Sequence, residues 1–395
     1  MKPAIPPLEL ARGLAAGVMV ALLFSPPVTG LLELALYALM IGSAELRARL
    51  VRAVRQPLGA MALVFWAVVA LGLAYSIAPA SESFGIWFSW RRLLLLVIGL
   101  ALFEDPAWKR RIAIVLVIVA GLCALASYFV TFFDITIRHY LPGVVLRTHS
   151  FQGMIFAVAA FAAALLMRDP AVLSRARLLL GAACVLLVLN IAFITPGRSG
   201  YAVLVVLAIA LGIALLKNRQ ASGLKRLAWG GGAALLVLAL LASSPVVRQR
   251  IELGLAEIES YEQGTAISSM GERVVYMRNA LQLIAERPLI GHGTGAFATA
   301  YARLVEGRSG REGLKIHDPH NQFLNIAAQH GLLGLAVFLV LLGSAFGRRC
   351  SAPHRLMGLS VLAAWCVTSL FSSHFSTFAE GRFIWLWLGV WLARD

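Results

Sequence analysis

Three residues in this chain combine a reactive type with a constrained position: a histidine beside an asparagine, an arginine on a short helix, and an arginine in a tight turn. The histidine is His320, in Asp318-Pro319-His320-Asn321-Gln322-Phe323-Leu324. Asp-Pro predicts a helix start, with Asp318 as N-cap and Pro319 as the first helical residue. His320 then falls in the first turn, where unpaired N–H groups and the positive helix end disfavour imidazolium. A neutral ring is the form a general base needs. Taken alone, the residue also admits a purely structural reading. His317, His292 and Asp318 raise a third reading, a metal site, but His317-x-x-His320 lacks the firm third ligand that zinc usually needs, and no metal is expected.

The helix-borne arginine is Arg273. Residues 272–284 predict a helix that must stop at Pro288. At about 100° per residue, Val274, Met277, Ala280, Leu281 and Ile284 form one apolar face, with Arg273 projecting into its middle. Arg278 lies instead with Gln282 and Glu286 on the polar side. A guanidinium on a buried face must be paired, either with a glutamate of the same region or with a carboxylate or phosphate of a ligand.

The third residue, Arg198, lies in Thr195-Pro196-Gly197-Arg198-Ser199-Gly200-Tyr201, a tight turn between two apolar runs. It either snorkels to lipid headgroups or meets something anionic. Arg91, Arg92, Arg138 and Arg147 join it on the same side by topology, and such clustering suits a lipid-linked phosphate or pyrophosphate. No phosphate-binding G-x-x-x-x-G-K-[ST] loop or dinucleotide fingerprint occurs, so the chemistry draws on an activated substrate and no cofactor is expected.

The elements that must position these residues are membrane helices. Of 395 residues, 60% are hydrophobic and 14% charged, too apolar for one soluble domain of this length. A span needs roughly 20 apolar residues, and about a dozen runs qualify: 11–24, 28–44, 58–76, 86–104, 112–133, 151–167, 178–195, 200–216, 227–243, 331–346, 356–373 and 382–393. Residues 1–24 also have the basic start and apolar stretch of a signal peptide, but the many later spans already supply targeting. With the N-terminus inside, 20 basic residues fall on cytoplasmic segments and six on short outer segments, which satisfies the positive-inside rule. Both termini are then cytoplasmic. Seven of the eight histidines, and the long hydrophilic stretch, lie outside.

The fold expected is all-α and polytopic: an N-terminal bundle of about nine helices over 1–243, a periplasmic helical region over 244–330, and about three helices over 331–395. The four cysteines imply no disulfide or metal framework. The net charge of +16 is dispersed between apolar runs, which speaks against nucleic acid and for membrane lipids and anionic substrates.

"ERVVYMRNALQLIAERPLIGHGTGAF" and "DPHNQFLNIAAQHGLLGL", with "TPGRSGY" upstream, resemble the O-antigen ligase superfamily, which includes O-antigen polymerases and protein O-oligosaccharyltransferases. The resemblance implies a GT-C-like membrane glycosyltransferase of the bacterial inner membrane, working on the periplasmic face. It implies that His320 is the essential histidine and that Arg198 and Arg273 meet a pyrophosphate. Arg147, Arg138, Arg91, Arg92, Asn321 and Tyr276 complete the expected substrate contacts. The implied partners are an undecaprenyl pyrophosphate-linked glycan donor and a lipid A-core acceptor, with a monomer favoured. The sequence departs from the pattern at Gln329-His330, where many relatives carry an acidic residue before glycine, and at His292, usually apolar.

Two rivals remain. An O-antigen polymerase uses the same donor to lengthen a lipid-linked glycan. A transporter would require paired carboxylates within the membrane or broken helices in matching halves of the chain, whereas Glu33 is the one acidic residue placed inside a span.

Overall fold

A computed structural model describes residues 6–137, 141–216, 223–262 and 269–395. The described residues are helical, without a strand. In chain order the helices are α1 (Pro7–Phe24), α2 (Pro26–Gly42), α3 (Ala44–Val54), α4 (Pro57–Leu71), α5 (Ala80–Ser89), α6 (Leu93–Leu102), α7 (Pro106–Phe132), α8 (His149–Leu166), α9 (Ser174–Phe193), α10 (Arg198–Leu216), α11 (Gly223–Ser243), α12 (Pro245–Glu262), α13 (Ser269–Glu286), α14 (Phe297–Leu304), α15 (Gln322–Ser344), α16 (Ala352–Thr368) and α17 (Phe378–Leu392).

Every apolar run read from the sequence coincides with a helix, but not every helix has the length of a span. Seven helical segments among the described residues are long and apolar enough to cross a membrane, or up to nine if two bent pairs are each one span. The bent pairs differ from the simple picture. α2 turns by 98° into α3, whose Arg47, Arg49 and Arg52 make it too polar to continue the crossing, and α11 turns by 83° into α12. Arg49 ties α3 to Glu104 beyond the end of α6 at 3.0 Å.

Two helices form the interior. α17 is buried along nearly its whole length, including Trp385 and Trp387. α8 is alanine-rich and equally buried, and it meets α10 where Gly153 faces Gly200. A Cβ on Gly200 would lie 2.7 Å from the Gly153 Cα, so the pair sets how closely these backbones approach.

The run 58–76 is helical only to Leu71, because the segment beyond it receives another loop. Thr294 donates its N–H to the Gly72 carbonyl at 3.1 Å and its hydroxyl to that of Val69, while Tyr75 reaches the Ile290 carbonyl at 2.8 Å. The same loop enters a kink in α15. Gly331 has φ +65°, which breaks the α15 ladder and frees carbonyls that accept from His292 and Gly293. A side chain at Gly331 would also strike the Leu289 carbonyl. Residues 288–296 thus fix α13 against α15.

Candidate active site

His320 lies just outside α15, not in its first turn. Asn321 is the N-cap: its Oδ1 accepts from Phe323 N at 3.0 Å and Leu324 N at 3.1 Å. Asp318 therefore does not cap the helix. Its Oδ1 instead accepts the His320 N–H at 2.7 Å, closing a turn that puts His320 at φ +55°. A left-handed backbone at a non-glycine residue costs roughly 1 to 3 kcal/mol and persists where its surroundings over-determine it. Those surroundings are explicit. Asp318 also accepts from Ser373 Oγ at 2.9 Å and from Asn325 Nδ2 at 3.0 Å.

The half-buried ring of His320 stacks on Tyr276 of α13, with centroids 6.2 Å apart. Its pKa lies below the ordinary histidine value, first through burial and then through the charge of Arg273, while Asp318 and Glu272 pull the other way. The ring is therefore neutral near pH 7, but burial and Arg273 achieve this, not a helix end. Tyr276 is pushed up to about 12 by burial and by the Glu272 carboxylate, to which its hydroxyl is hydrogen-bonded.

The buried face of α13 differs from the expected one. Val275, Tyr276, Asn279, Ala280 and Leu283 face inward, while Val274 and Leu281 are exposed. Hydropathy alone undervalues Asn279 and Tyr276, which are buried because each finds a partner: Asn279 Nδ2 donates to Tyr301 Oη at 2.9 Å, and the Tyr276 and Tyr301 rings meet edge to face. The stripe rotates accordingly, and Arg273 stands half-buried at its margin, not at its centre. Arg278 points the other way and forks onto Glu312 at 2.5 and 2.6 Å.

Arg198, exposed at the start of α10, is positioned by a buried polar network. Gln152 of α8 accepts from Val145 N at 2.8 Å and Leu146 N at 3.1 Å, and donates to Thr195 Oγ1 at 3.0 Å. Asn190 accepts from Thr195 Oγ1 at 2.8 Å. One side chain thus ties the loop that ends in Arg147 to the turn that ends in Arg198.

Arg147 and Arg382 lie against Phe378 at the start of α17, while Arg92 reaches the preceding Ser376 and Thr377 carbonyls and Arg91 approaches Glu33. The guanidinium of Arg382 lies 4.0 Å from the Phe378 ring and that of Arg147 lies 4.9 Å from it. Arg382 bonds Glu33 Oε1 at 2.5 Å, and Arg91 approaches Glu33 Oε2 at 4.0 Å. Arg92 is buried and donates to the Ser376 and Thr377 carbonyls. Arg147 Nη1 is buried without a hydrogen-bond partner among the described residues. Arg138 lies outside the described residues.

Sequence reasoning missed the segment that joins these parts. Residues 369–377, between α16 and α17, accept Gln322 N at Ser369 and Asn321 Nδ2 at Leu370, and return Phe375 N and Ser376 N to Gln322 Oε1. The segment therefore contacts both the His320 turn and Arg92. Its His374 is 4% exposed, with neither ring nitrogen hydrogen-bonded among the described residues. Burial holds its pKa below the ordinary value, against the pull of Glu380 and Asp318. The available signal was a histidine among four hydroxyl residues, Ser372-Ser373-His374-Phe375-Ser376-Thr377, directly after a span.

Two of the histidines weighed for a metal have other surroundings. His292 is buried with Nε2 2.9 Å from the Leu283 carbonyl, and His317 is exposed. Among the described residues no three His, Cys, Asp or Glu side chains are grouped to hold a metal.

No match emerges among curated proteins. Residues 183–339, which contain Arg198, Arg273 and His320, match the family model described as O-antigen ligase, so this segment of the chain is similar to that family.

Proposed function

We propose that the chain transfers a glycan from undecaprenyl pyrophosphate to a hydroxyl of lipid A-core at the periplasmic face of the inner membrane. The family supports O-antigen ligase- or polymerase-type glycosyl transfer in general. The observation that carries the finer reading is His320: a neutral, half-exposed imidazole in the field of Arg273, on a backbone turn over-determined by Asp318. In this reading the imidazole takes the proton of the acceptor hydroxyl. The acceptor oxygen bonds the anomeric carbon, and the bond from that carbon to the pyrophosphate oxygen breaks, its electron pair leaving with the pyrophosphate. A single displacement inverts the anomeric centre.

Arg198, Arg273 and Arg147 stabilise the charge that develops on the leaving group. Arg147 suits this role because a buried guanidinium nitrogen without a partner gains most from an anion. Arg91 supports the same surface, while Arg92 shapes it through the 369–377 segment. Asn321 sets the start of α15, and Tyr276 holds the imidazole face.

The chain holds only five aspartates and no Asp-x-Asp pair to bridge a metal to a pyrophosphate. Transfer is accordingly expected to continue in the presence of a chelator; loss on chelation with recovery on adding a divalent cation would overturn the metal-independent step. The polymerase reading is separated by reconstitution. Full-length protein in liposomes with a defined donor and lipid A-core should yield glycosylated lipid A-core, whereas longer donor chains formed without that acceptor would favour the polymerase.

A further inference from the structure

At the opposite end of the bundle from His320, the chain forms a cavity between its helices. α8 starts next to Arg147 and α10 starts at Arg198, so their far ends lie roughly 27 Å away, the length of an 18-residue helix at 1.5 Å per residue. There, a cavity of about 640 Å³ opens between α7, α8, α10, α16 and α17. Its walls are apolar and include Leu166, Ile213, Met357 and Trp391. Its rim carries Arg110, Arg168 and Asp169.

The charges on that rim are unequal. Arg110 bonds Asp169 at 2.8 Å, which neutralises one cation. Arg168 is exposed and makes no ion pair among the described residues. An apolar slot between helices with one surplus guanidinium at its mouth is complementary to an acyl chain that carries a negative headgroup. Basic pockets between membrane helices recognise anionic lipids by this combination. A soluble anion would leave the apolar walls unfilled, and a zwitterionic lipid would leave Arg168 without a net counter-charge.

We infer that this cavity is a binding site for one anionic phospholipid, with an acyl chain between α8, α10 and α16 and the phosphate at Arg168. The site is remote from His320 and independent of the transfer reaction.

The test uses the full chain, purified in neutral detergent, stripped of lipid and offered phosphatidylglycerol and phosphatidylcholine with identical acyl chains. Native mass spectrometry should find one phosphatidylglycerol retained in preference. Arg168→Gln, an exposed substitution, should cut that preference about fivefold, the effect of one surface cation near an anionic lipid. Ile213→Trp, which fills the slot, should reduce retention of both lipids. Equal retention of the two lipids, or an unchanged preference in Arg168→Gln, overturns the inference. So does undecaprenyl phosphate outcompeting phosphatidylglycerol at equal concentration, since the slot would then take a polyprenyl carrier.

Discussion

Around Phe378, Arg382 is held by Glu33 and Arg92 by two backbone carbonyls, and Arg91 stands 4.0 Å from the same glutamate. Around Tyr276, by contrast, His320 and Arg273 are half-exposed, and the imidazole is tuned by charges that oppose one another. In the first region Arg382 and Arg92 hold helices and a loop together. The second keeps its imidazole and guanidinium half-exposed beside Tyr276. Substitutions should therefore separate the two sets: at Arg382 and Arg92 they should be read in stability, at His320 and Arg273 in rate.

The sharpest test is His320→Ala. Loss of a general base lowers rate by roughly 10²- to 10⁴-fold, and the ring's stacking on Tyr276 contributes little to the core because His320 is half-exposed. Transfer assays should show that loss with an unchanged melting temperature. Retained activity would remove the base assignment. Arg382→Ala should do the reverse. Arg382 and Glu33 are almost fully buried, and removing one partner strands a buried carboxylate at a cost of about 3 to 5 kcal/mol. A large fall in melting temperature is expected, eased in the double variant with Glu33→Gln; an unchanged melting temperature for Arg382→Ala would erase the contrast between the regions.

The sequence made the helices legible because a long apolar run has few alternatives in a membrane, and each predicted run does meet a helix. It also singled out Arg198, Arg273 and His320, which fall within the matched segment. Three features were not legible, each for a physical reason. The inward face of α13 depends on Asn279 and Tyr276 finding partners, which periodicity cannot register. The turn at His320 depends on Asp318 bonding backwards to a neighbouring amide, and Asp-Pro reads equally well as a helix start. The 369–377 segment is placed by Gln322 and Arg92, the latter some 280 residues distant in the chain, so its hydroxyl-rich sequence flags it without revealing what it contacts.

A smaller and more specific effect concerns pH. The Arg273 charge helps to hold the His320 pKa below its ordinary value. A neutral base is present above that pKa, and activity is lost as pH falls through it. Arg273→Gln removes a cation, so the His320 pKa should rise and the acid limb of the pH–rate profile should move to higher pH. The same substitution removes a donor to the leaving group, lowering the plateau by about 10²-fold or more. A plateau loss without movement of the acid limb would separate Arg273 from His320 and leave only the anion-binding role.

The smallest effect should come from Asn321, whose side chain serves the fold at the edge of the site. Its Oδ1 satisfies two amides of α15 and its Nδ2 holds the Leu370 carbonyl. Asn321→Ala removes the cap at a cost of about 1 kcal/mol, whereas Asn321→Asp keeps the acceptor and loses only the bond to Leu370. If Asn321 merely sets the start of α15, the aspartate variant should recover most of the melting temperature and most of the transfer rate together. If it also contacts substrate, as the resemblance implies, the aspartate should restore stability and leave transfer depressed, because a second negative charge beside His320 repels a pyrophosphate. The two readouts then fall on different sides of the boundary between the region that holds the site and the region that reacts.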